Sequence, residues 1–178
     1  MKVNVFAEDS NTTAEDRTKP AKEYFQGLFG VVAGLTDELS ESADTSLHVL
    51  SEEFGLLRGD QQIVDATESE QDGAADLWES AQEELLIAAR EADVMVILLS
   101  TDAFGKTAGE IWPELVEAAK PDSVWCIGAA RSSLDSIESG KLEDKGCSVI
   151  SYQRVGVARI GTDTREELLQ AVSKKASE

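Results

Sequence analysis

The feature of this sequence that most restricts its fold is an apolar run of six residues, Val94 to Leu99, between Asp93 and Ser100. The run is too short to cross a bilayer, which takes about 20 residues. Uninterrupted runs of this length are typical of strands that are covered on both faces, as in parallel sheets with flanking helices. The run therefore predicts the central strand of an α/β domain.

Strand and helix patterns alternate on both sides of this run. Short apolar or alternating segments predict further strands at Lys2–Ala7, Ser46–Ser51, Val124–Ile127 and Cys147–Tyr152. Apolar stripes predict helices at Pro20–Leu35, from Asp72 over about twenty residues, at Ala108–Ala119, at Ser133–Ser139 and after a capping residue, Thr164. We therefore expect one α/β domain over residues 1–178, with a mainly parallel open sheet and helices on both faces.

The connecting segments are assigned by their polar and glycine content. Thr36–Thr45 is predicted to be a loop or a frayed helix end, and Ser100–Thr107 a loop. Gly140 is expected to end the helix before it. Val155–Ile160 is expected to form either a hairpin partner of the preceding strand or a loop.

Acidic residues dominate the charge of the chain. There are 35 acidic and 16 basic residues, which give a formal net charge of −19, and the acids are spread along the sequence. Spread acids combined with ordinary hydrophobic periodicity predict a folded domain with an acidic surface. Molar salt screens such a surface, since the Debye length falls to about 3 Å at 1 M. We favour a salt-adapted archaeal source; the alternative is a functional acidity, as in a protein that mimics DNA or binds a basic partner.

Several classes of protein are disfavoured by composition. The N-terminus, MKVNVFAEDSN, lacks the apolar core of a signal peptide, which predicts a cytoplasmic protein. Cys126 and Cys147 lie in apolar surroundings, and we expect buried free thiols. With one histidine and no C-x-x-C motif, no metal site is predicted, and no cofactor is assigned. Strong non-specific nucleic-acid binding at low salt is not expected, since it needs large clusters of Lys and Arg that displace phosphate counterions, and this chain carries a net charge of −19.

The loops at the carboxyl ends of the strands are the expected site of a ligand cleft. Two carboxylates in these loops, Asp9 and Glu52, are candidates for acid/base chemistry. The candidate ligand-binding residues from the same loops are Ser10, Asn11, Ser51, Arg58 and Ser100. In a chain with 35 acids, solvated surface carboxylates are the alternative interpretation.

The segment Ser100–Thr107 partly matches a phosphate-binding loop, G-x-x-x-x-G-K-[ST], between a strand and a helix. Its ending, Gly105-Lys106-Thr107, fits the motif. However, Ser100 replaces the first glycine and Asp102 would repel phosphate, so an ordinary strand-to-helix loop is the favoured interpretation.

His48 and a small basic cluster have weaker functional interpretations. His48 lies within a predicted strand on the face opposite Val49, where a packed or edge histidine is favoured over a catalytic base. Arg17, Lys19 and Lys22 lie near the start of the first helix; Arg17 could face an anion there, and solvent-facing charge is the favoured alternative.

Two segments together resemble a known family. Pro20–Phe29, PAKEYFQGLF, and Leu47–Leu57, LHVLSEEFGLL, are similar to the signature of small, largely uncharacterised bacterial and archaeal domains. The second segment is also similar to an element of YaaA-type peroxide-stress proteins, which are associated with DNA. Some of these domains have been grouped with a uracil-DNA-glycosylase-like α/β fold. The resemblance extends through Asp93–Leu115, and where family members often carry a basic turn after the first strand this chain has Glu8-Asp9-Ser10-Asn11.

The resemblance implies a three-layer sandwich and a nucleotide, nucleobase or nucleic-acid ligand bound at high salt. In the catalytic version of this hypothesis, a glycosidase-like hydrolase, Asp9 or Glu52 orients a water molecule and Arg58 holds an anionic group. The alternative is a noncatalytic protein-interaction or accessory protein with a degenerate cleft, from a salt-adapted archaeon or its virus or plasmid. The oligomeric state is left open, and no membrane partner is expected.

Overall fold

The computed structural model describes residues 1–10, 12–16, 18–27, 29–52, 54–64, 77–153 and 160–176. Its strands are β1 (Lys2–Glu8), β2 (Asp44–Ser51), β3 (Gly55–Arg58), β4 (Val94–Leu98), β5 (Val124–Ala129) and β6 (Ser148–Gln153). Its helices are α1 (Ala21–Tyr24), α2 (Phe29–Ser40), α3 (Leu77–Glu91), α4 (Thr101–Lys106), α5 (Trp112–Ala118), α6 (Arg131–Ser136), α7 (Gly140–Asp144) and α8 (Thr162–Ala176).

The strands form one sheet in the order β3-β2-β1-β4-β5-β6. Neighbouring strands are parallel except for β3, which is antiparallel to β2 at the edge. The strand predicted to be central, Val94–Leu98, is completely buried between β1 and β5. The prediction of a single α/β domain with a mainly parallel open sheet is confirmed.

Side chains alternate between two cores, one on each face of the sheet, because successive residues of a strand point to opposite faces. Val5 and Val49 belong to the core beneath α1, α2 and α8. Phe6 and Ile97 belong to the core beneath α3 to α7. The chain therefore forms three layers, helices on each side of one sheet, as predicted.

The helix that begins after Pro20 differs from the prediction. It is split into α1 and α2, because Phe25 is extended and pairs with Thr13, and Gly27 adopts a φ of 66°. Helix α2 then continues to Ser40, into the segment predicted to be a loop or a frayed helix end. Leu35 and Leu39 are both completely buried, so the apolar face of the helix continues into this polar stretch.

The loop predicted at Ser100–Thr107 is also helical. Ser100 acts as the N-cap of α4, since its hydroxyl oxygen accepts a hydrogen bond from the Ala103 N–H at 3.4 Å. The next helix starts at Trp112 and not at Ala108. Gly140 begins α7 and does not end α6, so its prediction as a C-terminal cap is wrong.

The last helix starts earlier than its predicted cap. Helix α8 begins at Thr162, two residues before Thr164. The Arg165 N–H donates to the Gly161 carbonyl oxygen at 2.9 Å and closes the first helical turn. Thr164 therefore lies inside α8 and the capping-box prediction is wrong. The start of the helix predicted at Asp72, and most of Val155–Ile160, lie outside the described residues. In the part of the chain that is described, no helix is both long and apolar enough to cross a bilayer.

Candidate functional site

The strand order reverses between β1 and β4. The chain runs from β1 to β2 on one side and then crosses to β4 on the other side of β1. In open α/β sheets, such a reversal opens a crevice at the carboxyl ends of the strands, where ligands bind. Here the crevice lies between Glu8, the last residue of β1, and Ser100, which follows β4.

A carboxylate joins the two sides of this crevice. The half-buried Glu8 accepts a hydrogen bond from the Ser100 backbone N–H through Oε1. Glu8 thereby ties the end of β1 to the start of α4, and its negative charge occupies the place where a phosphate would accept from a phosphate-binding loop. Together with the helical geometry of Thr101–Lys106, this argues against the phosphate-binding-loop interpretation.

Two further predicted residues, Asp9 and Ser10, directly follow Glu8 in the chain and are half-buried. The Asp9 N–H donates to the Leu50 carbonyl oxygen at 3.1 Å and extends the contact between β1 and β2. The hydroxyl oxygen of Ser10 accepts from the Thr12 N–H at 3.2 Å, which holds the loop in a tight turn. Asn11 lies outside the described residues.

The loop after β1 folds back against the break between α1 and α2. The Gln26 N–H donates to the Thr12 carbonyl oxygen at 2.8 Å, and the Ala14 N–H donates to the Tyr24 carbonyl oxygen at the same distance. This contact fixes the loop after β1 against the break between α1 and α2. The break also favours glycine at position 27, because the φ of 66° lies in the left-handed region that other residues rarely adopt.

The predicted site residues after β2 are less suited to binding a ligand in the crevice. Ser51 is completely buried, and its hydroxyl oxygen accepts from the Phe54 N–H at 3.1 Å. It therefore shapes the turn between β2 and β3, whereas Glu52 is exposed. The neighbouring Glu53 lies outside the described residues.

Arg58 does not lie with the other candidates. Residues Gly55–Arg58 form strand β3, which runs back along β2. Gly55 pairs with Ser51 and Arg58 pairs with His48, so Arg58 is three residues, about 10 Å, from the carboxyl end of β2. The structure thus groups Asp9, Ser10 and Ser100 near Glu8 and separates Arg58 from them.

His48 is packed inside the protein, as the sequence favoured. His48 is 1% exposed, and its ring stacks on that of Phe6 with the ring centroids 4.4 Å apart. Burial lowers the pKa of His48 from 6.5 to about 3, and the positive charges of Arg58 and Lys2 act in the same direction. The imidazole is therefore neutral at physiological pH and is not poised as a general base.

A chain of polar side chains runs through His48 to the surface. Nε2 of His48 lies 3.1 Å from Oδ1 of Asn4, and Nδ1 lies 3.8 Å from Oε1 of Glu84. The same oxygen of Glu84 is 3.7 Å from Nη2 of Arg58. In this arrangement, Nδ1 of His48 and Nδ2 of Asn4 are buried without a hydrogen-bond partner.

The orientation of the Asn4 amide decides which nitrogen of His48 carries the proton. Rotating the amide by half a turn lets Nδ2 donate to Nε2 of His48. The proton of the neutral ring then lies on Nδ1 and points towards the Glu84 carboxylate, an attractive arrangement. The opposite tautomer would direct a lone pair at that carboxylate, so we assign the proton to Nδ1.

The two segments that carry the family resemblance contact each other. Just beyond the second segment, the carbonyl oxygens of Gly59 and Gln61 accept hydrogen bonds from the Lys22 and Ala21 N–H groups at 2.9 and 2.8 Å. The ring of Tyr24 meets that of Phe54 edge-on at 6.2 Å. Both parts of the signature therefore build one structural unit at the β3 edge of the sheet.

The cysteines are free and buried, as predicted. Burial raises the pKa of the Cys126 thiol to about 12, and the charge of Glu167 acts in the same direction, so this sulfur is not a nucleophile at physiological pH. Among the described residues, no group of three His, Cys, Asp or Glu side chains could hold a metal ion.

Comparison with known proteins assigns the chain to no family. No protein-family model and no curated protein matches the chain. Among solved structures, it is similar to a diflavin flavoprotein A3 from Nostoc sp., with a TM-score of 0.43 and 10% sequence identity over 99% of this chain and 91% of that chain. A similarity at this level carries no argument about the fold or a ligand of this chain.

Proposed function

We propose that the crevice between β1 and β4 binds an uncharged, nitrogen-rich small ligand of the nucleobase or nucleoside class. The observation that carries this proposal is the Glu8 carboxylate at the switch point, hydrogen-bonded to the Ser100 N–H. Carboxylates accept hydrogen bonds from the amino and ring N–H groups of bases, and they repel phosphates. The proposal therefore narrows the expected ligands from nucleotides to bases and nucleosides.

The resemblance of Pro20–Phe29 and Leu47–Leu57 to domains grouped with a uracil-DNA-glycosylase-like fold supports the same ligand class. In a hydrolytic version of the function, Asp9 is the better general base, because it is half-buried beside Glu8, whereas Glu52 is exposed. The net charge of −19 suits a protein that works in the molar salt of an archaeal cytoplasm, where screening removes most self-repulsion.

Calorimetric titration in molar KCl tests the proposal. We expect free bases or nucleosides to bind, and the corresponding 5′-monophosphates to bind about tenfold more weakly because of repulsion by Glu8. Asp9→Asn should weaken binding of the preferred base, and Glu8→Gln should reduce the discrimination against phosphate. Asp144→Asn is the matched control, since this exposed aspartate lies in α7, before the amino end of β6. Failure of every base and nucleoside to bind would refute the proposal.

A noncatalytic accessory role is the second candidate. The observation that favours it is that polar groups near the crevice are already hydrogen-bonded within the protein. The Glu8 carboxylate and the hydroxyls of Ser51 and Ser100 accept hydrogen bonds from backbone N–H groups. Affinity purification from a salt-rich lysate should then return a stoichiometric protein partner. A preparation without such a partner would count against this role.

A further inference from the structure

Helix α3 carries an exposed apolar side chain on its outer face. Ile87 is 48% exposed, and the neighbouring Leu86 is half-buried. By contrast, Leu77 and Leu85 of the same helix are buried in the core beneath it. A single exposed isoleucine is ordinary on a protein surface. What distinguishes Ile87 is the arrangement of charges around it.

Two opposite charges flank these apolar residues on one face of α3. The four residues follow the spacing i, i+3, i+4 and i+7, which places them in one stripe along the helix: Glu83, Leu86, Ile87 and Arg90. Both charged residues are exposed, and within the described part of the chain neither forms an ion pair. The stripe therefore consists of a carboxylate, two apolar side chains and a guanidinium, in that order.

This order makes the stripe complementary to a second copy of itself. In an antiparallel pair of α3 helices with a two-fold axis between Leu86 and Ile87, Leu86 of each copy faces Ile87 of the other. Arg90 lies three residues beyond Ile87, and Glu83 lies three residues before Leu86. Each Arg90 therefore faces the other copy's Glu83, and this ion pair occurs twice. A parallel pair of helices would place like charges against each other.

We propose that the stripe Glu83, Leu86, Ile87 and Arg90 is the contact of an antiparallel homodimer. Leu86 and Ile87 form its apolar centre, and the ion pairs of Arg90 with Glu83 fix the orientation of the two copies. The observation that favours a second copy over a different protein is the equal distance of the two opposite charges from the apolar centre.

A groove beside the stripe adds surface to this contact. Helix α3 packs beside α5, and the groove between them has a volume of about 470 Å³. Its lining residues are Leu86, Arg90, Glu114, Glu117 and Ala118. The two helices present a face about 22 Å long, the length of the 15 residues of α3, and about 20 Å wide. A face of this size is at the lower end for specific interfaces, so the dissociation constant should be in the micromolar range.

The acidity of the chain opposes this association in dilute salt. Each copy carries a net charge of −19, and the Glu114 and Glu117 carboxylates border the groove. In molar KCl the Debye length of about 3 Å screens the repulsion between the two copies, whereas an ion pair that becomes partly buried in the contact is screened less. We therefore expect the dimer in molar KCl.

The experiment is sedimentation equilibrium of the full chain in molar KCl, which should show a reversible equilibrium between monomer and dimer. Ile87→Ala should weaken the dimer about thirtyfold, because the substitution removes apolar contacts from both copies. Val31→Ala is the matched control, since Val31 is also exposed, at 37%, but lies on α2, on the other face of the sheet.

Charge reversal tests the antiparallel register. Arg90→Glu and Glu83→Arg should each weaken the dimer about tenfold, since each places like charges together twice. Glu83→Arg also makes the chain less acidic, so an association governed by net charge alone would become tighter in this variant. The double substitution restores both ion pairs with their order reversed, and its dissociation constant should return to within about threefold of the wild-type value.

The outcomes decide the proposal because all the substituted residues are exposed and the variants should fold. A chain that stays monomeric in molar KCl would overturn it. Equal effects of Ile87→Ala and Val31→Ala, or a double reversal that is no tighter than the single reversals, would also overturn it. No residue of the stripe belongs to the crevice between β1 and β4, so neither result bears on base binding there.

Discussion

Acidification should destabilise this protein through its single histidine. In the folded state the pKa of His48 is lowered to about 3, mainly by burial, against 6.5 when the chain is unfolded. At a pH between these two pKa values, the unfolded state binds a proton that the folded state excludes. The free energy of unfolding is therefore unaffected above about pH 6.5 and falls as the pH drops below about 6.5. At about pH 5 the loss is about 2 kcal/mol, from about 1.36 kcal/mol per pKa unit, and it reaches about 4 kcal/mol near pH 3.

The contribution of His48 can be separated from that of the carboxylates. The Glu84 carboxylate, 3.8 Å from Nδ1, favours the protonated ring, but burial outweighs it. Burial raises the pKa of Asp93, but hydrogen bonds from Lys120 and the Lys2 N–H outweigh this effect and hold it below 3.8. The contribution of Asp93 is therefore lost only at more acidic pH, and the interval from about pH 6.5 to 4 reports on His48.

The assay is urea unfolding in molar KCl, followed by tryptophan fluorescence, at about pH 7.5 and about pH 5. Trp125 is completely buried and reports loss of the core. The wild type should lose about 2 kcal/mol more than His48→Gln over this interval. Only the difference between the two pH values is compared, so a constant destabilisation by the substitution does not matter. Parallel pH dependences of the two proteins would refute the reasoning.

Two further substitutions test the packing. Lys145→Met should lower the free energy of unfolding in urea by about 2 kcal/mol, because the ammonium donates to three carbonyl oxygens at the end of α5, at 2.9, 3.1 and 2.6 Å. The control, Lys141→Met, removes an exposed ion pair with Glu138 and should change stability by less than about 0.5 kcal/mol. Equal effects of the two substitutions would contradict the capping role of Lys145. Gly59→Ala should lower the free energy of unfolding by about 1–3 kcal/mol, because the added Cβ would clash with Leu47. Gly105→Ala, in open space within α4, should leave stability unchanged or raise it. Equal shifts of the thermal unfolding temperature in the two variants would argue against the close contact between Gly59 and Leu47.

The architecture was predictable wherever one local pattern determined it. The apolar run Val94–Leu98 and the stripe of α3 depend on burial alone, and both were found as expected. Strand β3 was not predictable, because four residues, Gly55–Arg58, carry no period and become a strand only by pairing with β2. The break between α1 and α2 likewise depends on a tertiary contact, between Phe25 and Thr13.

The candidate site was predictable only in part. Asp9, Ser10 and Ser100 lie near the switch point because parallel strands end at one edge of the sheet. The role of Glu8 depends on a contact with Ser100, 92 residues away, and no local pattern indicates it. The polar contact of His48 with Asn4 could have been found from the sequence. Asn4 is a polar residue inside an apolar strand, on the same face as Phe6, and a buried polar side chain needs a hydrogen-bond partner.

The central claim is that the crevice between β1 and β4 binds a base. Its most direct test is backbone amide NMR of the protein in molar KCl during titration with free nucleobases and nucleosides. The account predicts saturable shifts centred on the Ser100 N–H, which donates to Glu8, and on the amides of Asp9 and Ser10. Shifts confined to other parts of the chain, or no saturable shift with any base, would contradict it.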